Sequence, residues 1–268
     1  MRKFLPLVVI LILASVLRFW DLAGNPPGLT WDEAAFGYNA YSIAQTGRDE
    51  YGNLLPLNLK SFGDYKPALY AYLTIPFVAT LGLNEVAVRL PAVLFGIGLV
   101  FLTYLLINQL FNNKFLSLCC AFMMAISPWA IIFSRPAIEA SVTLFLIVLG
   151  TLFYLKGLTK PPFLIFSAVS FAVGLFSYQS ARLFIPILIF GLIIIYRKQI
   201  KYSRYLLLSA VILLVSGLLT AFLLFGLGQS NRLAAMNFFA YQRSVEEVNQ
   251  IAFEDGLNKD NIHFQILH

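Results

Sequence analysis

The sequence predicts an all-α fold: a polytopic integral membrane helix bundle with about seven transmembrane helices and a long first outer loop that contains interfacial helices. Of the 268 residues, 59% are hydrophobic and only 12% are charged. Soluble domains carry about 25% charged residues, so the composition excludes an ordinary soluble protein. Long apolar runs separated by short polar turns recur along most of the chain, as membrane-spanning helices require.

The first apolar run resembles a signal peptide in its position but is interpreted as an uncleaved span. It follows Arg2 and Lys3 and covers residues 4–20. It lacks a small-residue cleavage site and ends in Arg18-Phe19-Trp20-Asp21.

The segment 21–85 is predicted to be a long first outer loop. It contains a predicted helix over 33–45 and an apolar piece over 66–83 that holds Pro67 and Pro76. We interpret this piece as an interfacial or re-entrant helix, because a full span here would disturb the distribution of charge described below.

Six later runs are long enough to cross a bilayer at about 20 residues each. These predicted spans cover residues 86–108, 115–133, 139–157, 162–179, 181–197 and 204–226. They define a predicted transmembrane domain over residues 1–228. Residues 229–268 form an outer polar segment, which we expect to be the start of a truncated region.

Charge distribution predicts the orientation, because Lys and Arg favour cytoplasmic loops. With a cytoplasmic N-terminus, the inner side contains basic residues and no acid. Those basic residues are Arg2, Lys3, Lys114, Lys156, Lys160, Arg197, Lys198, Lys201 and Arg204. All thirteen acidic residues then lie outside. We expect a multi-pass protein of the plasma membrane, and the positive net charge carries no indication of nucleic-acid binding.

Cysteine and histidine provide little functional signal. Cys119 and Cys120 are adjacent within an apolar run, which is typical of core packing and not of a disulfide framework. His263 and His268 lie in the polar tail and are not expected to bind a metal.

Polar residues on three outer connections form the candidate site. The first connection, 21–85, holds Asp32 and Glu33; the others are 134–139 and 177–182. Arginine binds phosphate oxygens through paired donors, and a carboxylate accepts a proton or helps hold a divalent metal. Such a set suits a reaction on an anionic lipid with a polar head.

Each of these residues also has a structural interpretation. Asp32 and Glu33 are suited to capping the following helix, and Glu139 to stabilising the N-terminus of its own. Arg135 is suited to reaching the headgroups from an apolar surface. Tyr178 and Arg182 are typical interface anchors. Residue type and spacing leave both interpretations open.

Several motifs, taken in order, resemble one family of glycosyltransferases. They are the run from Pro27 to Ile43 preceded by Arg18, Thr46 to Gly52, Lys66 to Tyr70, Val88 to Pro91, Ser127 to Trp129, Ser134-Arg135 and Ser177 to Leu183. This ordered set resembles the protein mannosyltransferase and aminoarabinose transferase type. The C-terminus departs from it, because family members usually continue through more spans, often into a soluble outer domain.

The resemblance implies a membrane enzyme that takes a sugar from a polyprenyl-phosphate donor on the outer face and gives it to a protein, lipid or glycan. It places Asp32 at the catalytic acidic position, with Glu33 beside it. It makes basic residues the candidates for binding the donor phosphate: Lys66, Arg89, Arg135 and Arg182. We expect Tyr38, Glu139 and Tyr178 to line the substrate cavity, and the protein to be surrounded by membrane lipids. The sequence is compatible with a divalent metal at the site but does not require one.

Two other functions fit the sequence less well. A transporter or flippase of lipid-linked sugars would need polar residues at the centres of the spans, which here are nearly free of ionisable groups. A non-catalytic subunit is the remaining alternative.

Overall fold

A computed structural model describes residues 5–61 and 64–226 of the chain. The predicted outer segment 229–268, with both histidines, lies outside the described residues. Within them the chain forms ten α-helices. They are α1 (Leu5–Phe19), α2 (Trp31–Thr46), α3 (Leu69–Leu81), α4 (Glu85–Phe111), α5 (Lys114–Ile126), α6 (Pro128–Ile132), α7 (Glu139–Thr159), α8 (Phe163–Leu175), α9 (Ala181–Tyr196) and α10 (Arg204–Ala221). A π-helical turn, Phe222–Gly226, extends α10.

The structure confirms a helical membrane protein, but it does not confirm seven spans. Among the described residues three helices are long and apolar enough to cross a membrane: Glu85–Phe111, Glu139–Thr159 and Arg204–Leu224. The other predicted spans are helical but shorter. A 13-residue helix such as α8 rises only about 20 Å, against a hydrocarbon core of about 30 Å.

One predicted span is interrupted by proline. The run 115–133 forms α5 and then the short α6, with Ser127 capping α6 and Pro128 in its first turn. Proline lacks the N–H that would continue the helix from α5, so a new helix begins there.

The first loop contains an element that the prediction of an all-α fold missed. Strands β1 (Asn58–Ser61) and β2 (Asp64–Pro67) pair antiparallel, with Leu59 opposite Lys66. Four-residue strands are too short to show a clear alternation of apolar and polar residues. The predicted loop helix is confirmed as α2. The apolar piece 66–83 becomes the end of β2 followed by α3, whose 13 residues are too few for a span.

The loop packs on the transmembrane helices through its own core. Phe36 of α2, Tyr70 of α3 and Val88 of α4 belong to one buried cluster. The Tyr70 hydroxyl donates to the Val88 carbonyl at 3.0 Å. The loop is therefore a fixed part of the bundle.

Helix α4 is the centre of the bundle, with α1, α3, α5 and α7 against it, and α8 joins α7 to α10. Gly96 permits one close approach, because a Cβ there would clash with Ser134. The 134–138 connection consequently lies directly against α4, beside the first loop.

Candidate active site

A cleft of about 600 Å³ brings together four of the predicted site residues. Asp32, Lys66, Glu139 and Tyr178 all line it. They come from α2, β2, the start of α7 and the connection between α8 and α9. The three connections singled out in the sequence therefore meet at one end of the bundle.

Asp32 and Lys66 form an ion pair at this cleft. The Asp32 side chain is 56% exposed, whereas that of Lys66 is only 7% exposed. Asp32 lies in the first turn of α2, where the helix dipole favours a carboxylate. The Lys66 ammonium also lies 5.9 Å from the centre of the Phe36 ring. The carboxylate is thus accessible to a substrate, whereas the lysine is buried against the Phe36 ring.

Glu33 is entirely buried, in contrast to its neighbour. It completes a capping box with Thr30 and accepts a hydrogen bond from the Ala137 backbone at 3.0 Å. Its Oε1 also accepts from Arg89 Nε at 2.8 Å. Burial raises the pKa of Glu33, but the hydrogen bonds from Arg89, Thr30 and Ala137 outweigh burial and hold it below its ordinary value. The helix-capping interpretation of Glu33 is confirmed, and the residue joins three segments of the site.

Arg89 is also fully buried, and its hydrogen bonds hold the first loop, which contains Glu33. Besides Glu33, its guanidinium donates to four backbone carbonyls of the first loop. These belong to Leu22, Ala23, Pro26 and Gly28. All three guanidinium nitrogens thus donate within the chain, and phosphate binding by Arg89 stays a prediction that this geometry does not favour.

Arg135 holds the end of α1. It donates to the carbonyls of Leu17 at 2.9 Å and Trp20 at 2.6 Å, and also to those of Asp21 and Asn25. The last carbonyls of a helix lack partners within it, and a cation there also complements the helix dipole. The side chain is 8% exposed and turned into the protein, so its binding to a lipid phosphate stays a prediction.

Arg18 has a similar role, which sequence analysis did not assign. It is 1% exposed and donates to Ser134 Oγ at 2.9 Å and to the Ala125 carbonyl at 3.1 Å. The sequence could have predicted this role, because an arginine at the end of an apolar run lies at membrane depth, where a charge needs partners within the protein. Arg18 links the broken α5–α6 junction to α1.

Arg182 is half-buried and lies beside the antiparallel pair β1–β2, which we call the hairpin. Its Nη2 donates to Asn58 Oδ1 at 3.3 Å, and its neighbour Gln179 donates to the Tyr65 carbonyl at 2.6 Å. Gln179 belongs to the predicted connection 177–182, but the sequence predicts no role for it or for Asn58, because these roles depend on a hairpin that the sequence pattern does not show. These bonds attach the strand that carries Lys66 to the start of α9.

The remaining predicted cavity residues differ in position. Glu139 is 8% exposed and opens α7 at the cleft. Tyr178 lines the cleft, whereas Tyr38 is 51% exposed on α2 and is not among the lining residues. Over residues 5–61 and 64–226 there is no group of three or more His, Cys, Asp or Glu suited to a metal ion.

Comparison with known proteins assigns the family. No curated protein matches the chain in a sequence search. The sequence model of the dolichyl-phosphate-mannose-protein mannosyltransferases matches residues 8–201, a range that contains every predicted site residue. The chain belongs to the dolichyl-phosphate-mannose-protein mannosyltransferase family, a family of glycosyltransferases.

Proposed function

We propose that the protein transfers a sugar from a polyprenyl-phosphate donor to a hydroxyl group of a protein, lipid or glycan. The observation that supports this most strongly is the pairing of Asp32 with Lys66 in one cleft. A proton acceptor and a cation side by side meet the two needs of the reaction, one at the nucleophile and one at the leaving group.

The chemical step is a displacement at the anomeric carbon of the sugar. The acceptor oxygen forms a bond to this carbon while the bond from the carbon to the phosphate oxygen breaks. The acceptor proton passes to the Asp32 carboxylate, and polyprenyl phosphate leaves with the electron pair. Lys66 balances the charge that develops on the phosphate in the transition state.

Arg182 is the second proposed phosphate ligand. It lies beside the hairpin that carries Lys66, and its hydrogen bonds are long: 3.4 Å to the Leu175 carbonyl and 3.3 Å to Asn58. Arg89 and Arg135, in contrast, each make bonds of 2.9 Å or shorter within the chain. Arg89 and Arg135 instead act as positioning residues, because their guanidinium groups hold loop carbonyls. Glu33 fixes the N-terminus of α2 and thereby the position of Asp32.

Glu139 and Tyr178 form the wall of the cleft on the side of α7. We place them against the sugar or the acceptor, both of which carry hydroxyl groups that suit a carboxylate and a phenol. Tyr38 lies further along α2, where it suits contact with the acceptor or the membrane surface.

The cleft is proposed to face the outer side of the plasma membrane, with the N-terminus in the cytoplasm. Support comes from the acids, since Asp21, Asp32, Glu33, Glu85 and Glu139 all lie near the cleft end of the helices. No Asp or Glu occurs between Glu139 and Glu246, and this stretch holds six of the nine basic residues predicted to be cytoplasmic. The other three are Arg2, Lys3 and Lys114.

Replacement of Asp32 by Asn tests the proposal. The change keeps the shape of the side chain but removes the proton acceptor, so sugar transfer in membranes should fall by a factor of about a hundred to ten thousand. Asp21→Asn is the matched control, since Asp21 is an exposed acid of the same loop outside the cleft. If Asp32→Asn kept more than about a third of wild-type turnover, Asp32 would not be the base.

A further inference from the structure

A second cavity lies between α7, α8, α9 and α10, far from the cleft. Its volume is about 290 Å³, and Gly157, Leu164, Phe171 and Leu213 are among its lining residues. Glu139 opens α7 at the cleft, and Gly157 lies 18 residues further along the same helix. At 1.5 Å per residue this separation is about 27 Å, so the two sites lie at opposite ends of the bundle.

The interior of this cavity suits a hydrocarbon chain. Three lining residues carry hydroxyl groups, and each hydroxyl donates to a backbone carbonyl: Tyr154 to Leu192, Ser167 to Gly150, and Ser209 to Tyr205. Water enters a cavity when it finds polar partners there, whereas a cavity with satisfied polar groups stays dry and accepts apolar molecules.

One end of the cavity is cationic. Lys201 lines it and is exposed. The connection between α9 and α10 also holds Arg197 and Lys198, and no acid occurs in residues 140–226. An apolar interior with a cation at its edge complements an amphiphile that has a hydrocarbon chain and an anionic head.

We propose that this cavity binds an anionic phospholipid from the adjacent membrane leaflet, with an acyl chain between α8 and α10 and the phosphate at Lys201. Ile193 and Ala210 line the cavity and are exposed, so a lipid reaches it laterally from the bilayer. The site is separate from the sugar-transfer cleft and does not depend on the proposed reaction.

Lipid retention by the purified full chain tests this binding. The protein would be reconstituted in nanodiscs of equal phosphatidylglycerol and phosphatidylcholine, extracted into detergent, and analysed for bound lipid by mass spectrometry. The wild type should retain phosphatidylglycerol in preference. Lys201→Ala should reduce that retention about fivefold, the usual contribution of one lysine near a membrane surface, with phosphatidylcholine unchanged.

Two matched controls separate binding from general damage. Ala210→Trp should fill the cavity and abolish retention, whereas Leu207→Trp, on the lipid-exposed part of the same helix, should not. Lys114→Ala removes a lysine that is exposed away from the cavity and should leave retention unchanged. Equal loss in Lys114→Ala and Lys201→Ala, or no preference in the wild type, would overturn the proposal. Displacement of the lipid by equimolar polyprenyl phosphate would assign the cavity to the donor lipid instead.

Discussion

Neutralising the neighbouring acids Asp32 and Glu33 one at a time should give contrasting results, with a loss of stability for Glu33 and a loss of sugar transfer for Asp32. Glu33→Gln removes the negative charge that faces the fully buried Arg89 and leaves that guanidinium without its ion-pair partner. Loss of one partner of a buried pair costs about 3–5 kcal/mol of the free energy of unfolding. Asp32→Asn breaks a pair that is open to solvent on one side, because the carboxylate is 56% exposed although the Lys66 side chain is only 7% exposed. Water and the Asn amide oxygen can reach the ammonium from that side, so the loss should be about 1 kcal/mol, as for a solvent-exposed pair.

Thermal unfolding of the purified variants in detergent, followed by tryptophan fluorescence, measures this contrast. We expect a large fall in melting temperature for Glu33→Gln and almost none for Asp32→Asn, although the proposed function requires the latter to lose at least about a hundredfold in sugar transfer. Adding Arg89→Met to Glu33→Gln removes the unbalanced charge, so the double variant should lose less than the sum of the two single losses. Equal melting temperatures for Glu33→Gln and the wild type would refute the structural role of Glu33.

Four further expectations concern pH, two basic residues and topology. The pKa of Glu33 is lowered from about 4.5, so the ionised carboxylate stabilises the fold above that pH, and this stability is lost as the pH falls through the lowered pKa. The melting temperature of Glu33→Gln should therefore depend less on pH in the acid range than that of the wild type. An equal dependence in the two proteins would contradict this. Lys66→Ala should raise the KM for the donor roughly tenfold or more in a transfer assay, as expected for a lost charged hydrogen bond, and an unchanged KM would exclude it as a phosphate ligand. Arg135→Ala should lower the free energy of unfolding by about 1–3 kcal/mol, because it leaves the carbonyls at the end of α1 without a donor; unfolding like that of the wild type would contradict this role. A cysteine at Gln199 should react with membrane-impermeant reagents only after the cells are opened, and labelling on intact cells would overturn the topology.

The family and the helical character follow directly from the sequence. Apolar runs of near-bilayer length predict helices because backbone groups in lipid must be satisfied internally, and α4, α7 and α10 confirm this. The helix predicted over 33–45 is also found, extended slightly to Trp31–Thr46, because Thr30 and Glu33 form a capping box and Gly47 adopts the left-handed conformation that ends the helix. Local rules suffice for these features, since each depends on residues within one or two turns.

The candidate cleft was predicted only in outline. Sequence placed Asp32, Lys66, Glu139 and Tyr178 in a common set, and the structure brings them to one cleft. By sequence alone, Lys66, Arg89, Arg135 and Arg182 are equal candidates for binding the phosphate. Only their contacts in the folded protein distinguish them. The sequence cannot tell an arginine that donates to backbone carbonyls from one whose guanidinium can bind a ligand.

Residue order and composition determined the membrane class, the approximate positions of the helices and the identity of the acid at the start of α2. Tertiary structure alone decided that Asp32 is accessible and Glu33 buried, that the hairpin carries Lys66 to the carboxylate, and that Arg89 is committed to the protein interior. The physical reason is range. Helix formation and capping depend on neighbours in sequence, whereas burial and charge pairing depend on residues 34 to 104 positions apart that meet only after folding.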